Sequence, residues 1–352
     1  MIEKRLPAEW EHQQALLLTW PHEGGAWGKD IQKIEQLFTE IACAVSKTQI
    51  VIIGAHDLTH QQHILTTIKN LDVLRDNVKT YLAPSNDVWA RDHGPITVFA
   101  ENLDVLPGSL AVLCDFRFTG WGGKYPHQLD DLIPKILAES DLLSGYAYQS
   151  IPFILEGGAI ESDGMGTLLT TEQCLRSPKR HANLSREQIE QHLTQCLGTK
   201  RVLWLSEGHL AGDDTDGHID TLARFFNPTT IGYVATDNQN DPHFASLKAM
   251  EETLLTFKDN AGHPYHLVKL PLPAPIYDKE GNRLPATYAN FLLCNGQVLV
   301  PLYGDPKDDL ILETFRHHFP DRVVTGIDCN SAIEQYGSLH CLTMQIPALI
   351  KR

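Results

Sequence analysis

The chain has 352 residues, of which 42% are apolar and 21% charged, the balance of a globular protein rather than of a disordered or membrane chain. Its formal net charge of −15, from 29 Lys+Arg against 44 Asp+Glu, argues against nucleic acid as a partner, and no Lys/Arg-rich run offers a local exception. An acidic surface favours a cationic ligand over an anionic one.

Along the chain, the start from Met1 to Trp10 holds no apolar core of signal-peptide length, and nowhere do about 18 apolar residues run together. The expectation is a cytoplasmic protein with no membrane partner. Ile31, Ile34, Leu37, Phe38, Ile41, Ala42 and Val45 fall on one helical face, and the apolar run Ile50-Val51-Ile52-Ile53, closed by Gly54, reads as the buried strand that follows. The same order returns at Ser185 to Leu197, where Ser185 and Gln188 form a capping box and Gly198 ends the helix before a strand at Arg201 to Leu205. It returns again as Phe244 to Leu255 followed by His266 to Leu270, and as Asp309 to His318 followed by Val323-Val324. No linker or low-complexity tract divides the chain, so one domain over 1–352 is expected.

Seven cysteines, an odd number without CxxC spacing, point to reduced thiols rather than a disulfide framework or a zinc cage. Cys341, late in the chain among the small and polar residues Ser338, His340 and Thr343, is a candidate nucleophile. Its candidate partners lie in Trp89-Ala90-Arg91-Asp92-His93-Gly94-Pro95, in Glu156-Gly157-Gly158 and in Gly217-His218-Ile219-Asp220. Asp213, Asp214, Asp216 and Asp220 crowd His218, and carboxylates raise an imidazole's pKa, which suits a proton donor to a leaving amine. Asp92, Glu156, His218 and Cys341 are spaced by 64, 62 and 123 residues, so one module lacks such a residue, and Tyr288-Ala289-Asn290-Phe291 falls in the gap. Modules of this length suit radial repetition, which gathers one loop per module at a common centre, with a doubly wound α/β sheet as the plainer alternative. The stretch Gly120-Trp121-Gly122-Gly123-Lys124 lacks phosphate-loop spacing and reads as a turn or substrate-shaping loop. His218, Asp220, His340 and Cys341 are all possible metal ligands, and a metal-dependent hydrolase would use His218 and Asp220, but HExxH, CxxC and His-x-His pairs are lacking.

These motifs, in this order, resemble the agmatine deiminase and bacterial peptidylarginine deiminase-type family of guanidine-modifying enzymes, along nearly the whole chain. Thr167 to Glu172 and His340-Cys341-Leu342-Thr343 also match. The resemblance implies a pseudo-five-fold symmetric α/β propeller, a single deiminase domain with its site on the axis. It implies Cys341 as nucleophile, His218 as general acid/base, Asp92 and Asp220 as the carboxylates that grip a guanidinium, and Glu156 as the acid that orients substrate and histidine. Trp89 and Asp214 would line the pocket for an alkyl amine tail. No cofactor or metal is needed, the partner is a small cationic guanidine, and homo-oligomer formation is left open. Agmatine is the favoured substrate, because free arginine would need a carboxylate-binding arginine that the motifs do not supply. Deimination of free or peptidyl arginine, and a non-catalytic propeller that only binds, are the alternatives. The lead-in Glu334-Gln335-Tyr336-Gly337-Ser338-Leu339 before the His340-Cys341 pair departs from the glycine-rich Asn-Ile-His-Cys lead-in common in agmatine deiminases, which bears on substrate more than on reaction class.

Overall fold

The computed structural model describes residues 2–69, 74–102 and 109–349, so the unit expected over 1–352 runs past the described residues at both ends. The helix expected after residue 30 is Ile31–Val45, with Ile34, Leu37, Phe38, Ile41, Ala42 and Val45 buried on one stripe. The apolar run behind it is the strand Ile50–Ala55. The helix Arg186–Leu197 carries both halves of the Ser185/Gln188 capping box and ends at Gly198 with φ 74°, the left-handed geometry a glycine adopts without a Cβ penalty.

The chain forms a mixed α/β fold with five small sheets among the described residues. Four share one connectivity: two antiparallel strands, a helix, then a third strand parallel to the second. They are Ile96–Asn102, Ser109–Arg117 and Ala147–Ile154; Ile160–Ser162, Thr167–Thr171 and Arg201–Leu205; Ala223–Asn227, Thr230–Ala235 and His266–Pro271; and Leu292–Cys294, Gln297–Leu302 and Val323–Asp328. The fifth sheet takes its first strand from the far end of the chain, because Thr343–Pro347 pairs antiparallel with Gln13–Thr19, which then runs parallel to Ile50–Ala55. A parallel partner needs a crossover, and the helices Ile31–Val45, Arg186–Leu197, Phe244–Leu254 and Asp308–His318 are such crossovers.

This repetition positions the chemistry. Just ahead of each sheet's first strand the chain makes a short turn: Ala90–His93, Gly157–Ala159, Ile219–Thr221 and His340–Leu342, with Asn290 at the equivalent place before Leu292–Cys294. The turns pack on one another, Ala90–His93 against both His340–Leu342 and Gly157–Ala159, and the latter against Ile219–Thr221. Asp92, Glu156, His218 with Asp220, Asn290 and Cys341 are thus the same position of successive modules. Among the described residues, no helix is long and apolar enough to cross a membrane.

Candidate active site

Cys341 is 5% exposed, and its Sγ lies 3.4 Å from Asn290 Oδ1 and 3.8 Å from Asp220 Oδ2. Asn290 Oδ1 also accepts the backbone N–H groups of His340 (2.9 Å) and Cys341 (3.3 Å), and its Nδ2 donates to the Asp220 carbonyl at 3.2 Å. Asn290, within the Tyr288-Ala289-Asn290-Phe291 stretch that the spacing singled out, thus ties the cysteine turn to the His218–Asp220 turn. Burial, then the nearby Asp220 and Asp92, push the thiol well above its ordinary pKa. A cation entering beside those carboxylates would reverse that bias.

His218 is fully buried, with Nδ1 3.5 Å from Asp92 Oδ1, and neither ring nitrogen has a hydrogen-bond partner among the described residues. Burial alone would lower its pKa, but Asp92 in first place, then Cys174 and Glu156, raise it to about 10. Gly158 explains how three such groups meet: a Cβ there would lie 2.5 Å from His218 Nδ1, 2.9 Å from Asp92 Oδ1 and 3.2 Å from Asp220 Oδ2. Only a residue without a side chain lets the cluster close. Asp92 accepts from Trp121 Nε1 at 2.9 Å and from the Gly158 N–H at 3.1 Å, and burial pushes its carboxyl up to about 6.

Asp220 is bound on one side only. Its Oδ2 sits 2.8 Å from His340 Nδ1, whereas Oδ1 is buried without a partner. Burial raises this carboxyl, but the His340 hydrogen bond and the charges around it outweigh burial and hold it below its ordinary value. His340 Nε2 lies 2.7 Å from Glu9 Oε2, which also accepts from Arg224 Nη2 at 2.6 Å. Arg224 Nε in turn reaches Glu161 at 2.8 Å. This ladder of buried charges, with Arg91 Nη2 3.9 Å from Glu9, backs the Cys341 turn. Breaking one partner of a buried pair strands the other in a low-dielectric interior, so Arg224→Met is expected to cost about 3–5 kcal/mol of stability. A urea unfolding midpoint is the check, and a change below about 1 kcal/mol would mean that packing alone holds this region.

Glu156 stands behind His218 and is satisfied by Arg180, whose Nε lies 3.0 Å from both carboxylate oxygens. Glu156, Cys174 and His218 are the one group of three metal-type donors among the described residues, with ligand atoms all within 4.8 Å. Arg180 already occupies the carboxylate of that group, and the alternative set of His218, Asp220, His340 and Cys341 does not come together as ligands. Burial and the charges of Arg224 and Arg91 push His340 down, against the pull of Glu9 and Asp220.

The pocket over Cys341 is lined by Asp87, Trp89, Asp92, Trp121, Tyr125 and Asp214, closed by Gln335-Tyr336-Gly337. Trp89 and Asp214, expected at the pocket, both line it. Asp214 is already engaged, with Lys124 Nζ at 3.0 Å and the Tyr125 hydroxyl donating to its other oxygen. Lys124 also holds Asp216 at 2.9 Å, and Arg180 Nη1 reaches the same carboxylate at 2.7 Å. Trp121 (φ 55°), Asp216 (φ 67°) and Tyr336 (φ 67°) are the non-glycine residues with positive φ among the described residues, and all three lie in or beside this rim. Each such conformation costs about 1–3 kcal/mol and persists where surrounding contacts enforce it.

Sequence reasoning missed Arg180, which pairs with Glu156, Cys174, which lies beside His218, and Glu9 and Arg224 in the ladder behind His340. A signal existed for Arg180, since a buried Glu156 requires a cationic partner.

The Porphyromonas-type peptidyl-arginine deiminase family model matches residues 5–347. A Porphyromonas gingivalis structure provisionally assigned as an arginine deiminase is 43% identical, with TM-score 0.89 and 98% of each chain covered. A structure of a cysteine-to-serine variant of C. jejuni agmatine deiminase with substrate bound is 32% identical, with TM-score 0.88, covering 100% of this chain and 98% of that one. A Vibrio parahaemolyticus protein provisionally assigned as an agmatine deiminase is 32% identical over 97% of this chain and 96% of its own length. The chain belongs to the Porphyromonas-type peptidyl-arginine deiminase family.

Proposed function

We propose that this enzyme, a hydrolase of carbon–nitrogen bonds, converts agmatine to N-carbamoylputrescine and ammonia through a covalent intermediate on Cys341, and that its five sheets are the blades of one α/β propeller domain. The observation that carries the reading is the buried Asp220 carboxylate, whose Oδ2 lies 3.8 Å from Cys341 Sγ and whose Oδ1 has no partner among the described residues, in a site that also holds the buried Asp92 carboxyl. A guanidinium offers N–H donors on several edges and would satisfy both carboxylates while its central carbon faces the sulfur.

In this mechanism the guanidinium enters between Asp92 and Asp220, and its charge offsets the two carboxylates that hold the thiol protonated, so Cys341 releases its proton to solvent. The thiolate attacks the central carbon. His218, protonated in the resting site, gives its proton to an amino group, and the C–N bond breaks to release ammonia and leave an S-alkylthiouronium. Neutral His218 then takes a proton from water, the hydroxyl adds to the same carbon, and as the C–S bond breaks the hydroxyl's proton passes to the departing sulfur, which returns the Cys341 thiol, protonated His218 and the neutral ureido product. Glu156, fixed by Arg180, stands behind His218 and its charge helps to keep the ring protonated.

Substrate class follows from charge. Three carboxylates and no lysine or arginine line the pocket, which suits a cationic tail and offers nothing to the α-carboxylate of free arginine. The test is formation of ureido product and ammonia from agmatine, free arginine and a peptidyl-arginine mimic, assayed side by side in chelator. Turnover of agmatine above the others is the expected result. Preference for another guanidine would overturn the substrate, and turnover of none would favour a protein that binds without catalysis.

A further inference from the structure

Of the three carboxylates lining the pocket, two already face a cation of the protein. Asp92 lies 3.5 Å from the protonated His218 ring at the reacting end, and Asp214 is held by Lys124 and Tyr125 at the rim. Asp87 is different. Its Oδ1 accepts the Val88 N–H at 2.8 Å, and the Trp89 and Trp27 indoles lie beside it, but these are neutral groups and among the described residues no cation pairs with it. Burial pushes its carboxyl up to about 6, a bias that a cation beside it would offset. Its place is nonetheless fixed. The neighbouring Asn86 N–H donates to Asp130 Oδ1 at 2.7 Å, the Asp87 N–H reaches the same oxygen at 3.3 Å, and Asn86 Oδ1 accepts the Leu129 N–H at 2.8 Å. A carboxylate on a fastened segment, facing a pocket with tryptophan walls and without its own cation, is half of an ion pair.

We infer that Asp87 is the specificity-determining residue of this pocket, pairing with a cationic group at the far end of the substrate's alkyl chain, in place of the Asp214 that sequence alone suggested. The inference rests on the reading that the pocket takes a guanidine at Cys341. An ammonium entering there brings the charge that Asp87 lacks, whereas at Asp214 it would have to displace Lys124.

The test separates tail from head. Agmatine and n-butylguanidine share the guanidinium and the four-carbon chain but differ in the terminal ammonium. Their dissociation constants are measured by calorimetry on the Cys341→Ala protein, alone and combined with Asp87→Asn or Asp214→Asn. The expected result is that Asp87→Asn erases about 10–100-fold of the preference for agmatine while butylguanidine affinity moves by less than about threefold. Equal loss for both ligands, or loss of the preference in Asp214→Asn instead, would overturn the inference. Because binding is read without turnover, an inactive native enzyme that still prefers agmatine through Asp87 would sink the catalytic reading and leave this one standing. If Asp87→Asn fails to fold, judged by near-UV circular dichroism, Asp87→Ser removes the same charge and decides the matter.

Discussion

Replacing Cys341 with alanine is expected to lower kcat for guanidine hydrolysis by at least about 10⁴-fold while leaving guanidine binding intact, because the covalent route is lost and the groups that hold the substrate are not. The remaining site would contain Asp92, Asp220 and His218 in place, a pocket that orients a guanidinium but has no atom to attack it. Water cannot substitute readily, since a guanidinium is resonance-stabilised and poorly electrophilic. A structural change is not expected either: Asn290 Oδ1 accepts the Cys341 backbone N–H, which alanine keeps.

The same prediction has a chemical face. An electrophilic amidine that occupies the guanidinium place should alkylate the native protein once, at Cys341, as read by peptide mapping. The remaining thiols are disfavoured because Cys114, Cys174, Cys294 and Cys329 are buried away from the pocket lining, and Cys43 and Cys196 are half-buried outside it. Labelling at Cys43 or Cys196 ahead of Cys341, or residual turnover within about 100-fold of native, would dismiss the nucleophile.

What sequence could show here follows the range of the interactions. The crossover helices and the strands after them were legible because their apolar spacing is local: Ile34, Leu37, Phe38 and Ile41 mark a buried stripe whatever lies beneath. The site motifs were legible because each occupies a short turn before a strand, where glycine and polar residues interrupt an apolar pattern. Glu9 was not, since nothing in Pro7-Ala8-Glu9-Trp10 reveals that its carboxylate ends 2.7 Å from His340, 331 residues away. Asp214 illustrates a subtler limit. Its place at the pocket was foreseeable, but its engagement by Lys124, 90 residues earlier, depends on how two loops from different modules meet. The glycines around Trp121 signalled a turn, but not that the tryptophan itself would adopt φ 55° and turn its indole N–H to Asp92.

Substituting His218 with asparagine is expected to lower kcat by about 10²–10⁴-fold, the usual weight of a positioned acid–base group, and to remove the alkaline limb of the pH profile. Asp92 and its neighbours outweigh burial and hold the imidazole protonated to about 10, so the proton donor is present below that pH and lost above it. Asp92→Asn removes the largest of those raising influences and should move the limb toward neutrality. The acid side reports the thiol. In kcat/KM, which reflects free enzyme, activity should climb with pH toward the elevated value that burial imposes on Cys341. In kcat, which reflects the complex, the plateau should begin at lower pH, because a bound guanidinium counters Asp220 and Asp92. Profiles measured from pH 5 to 11 with native, Asp92→Asn and His218→Asn proteins distinguish the steps. Coincident acid limbs in kcat and kcat/KM would mean that the thiolate forms without help from the substrate. An alkaline limb that survives unchanged in His218→Asn would assign it to another group and remove His218 as the acid.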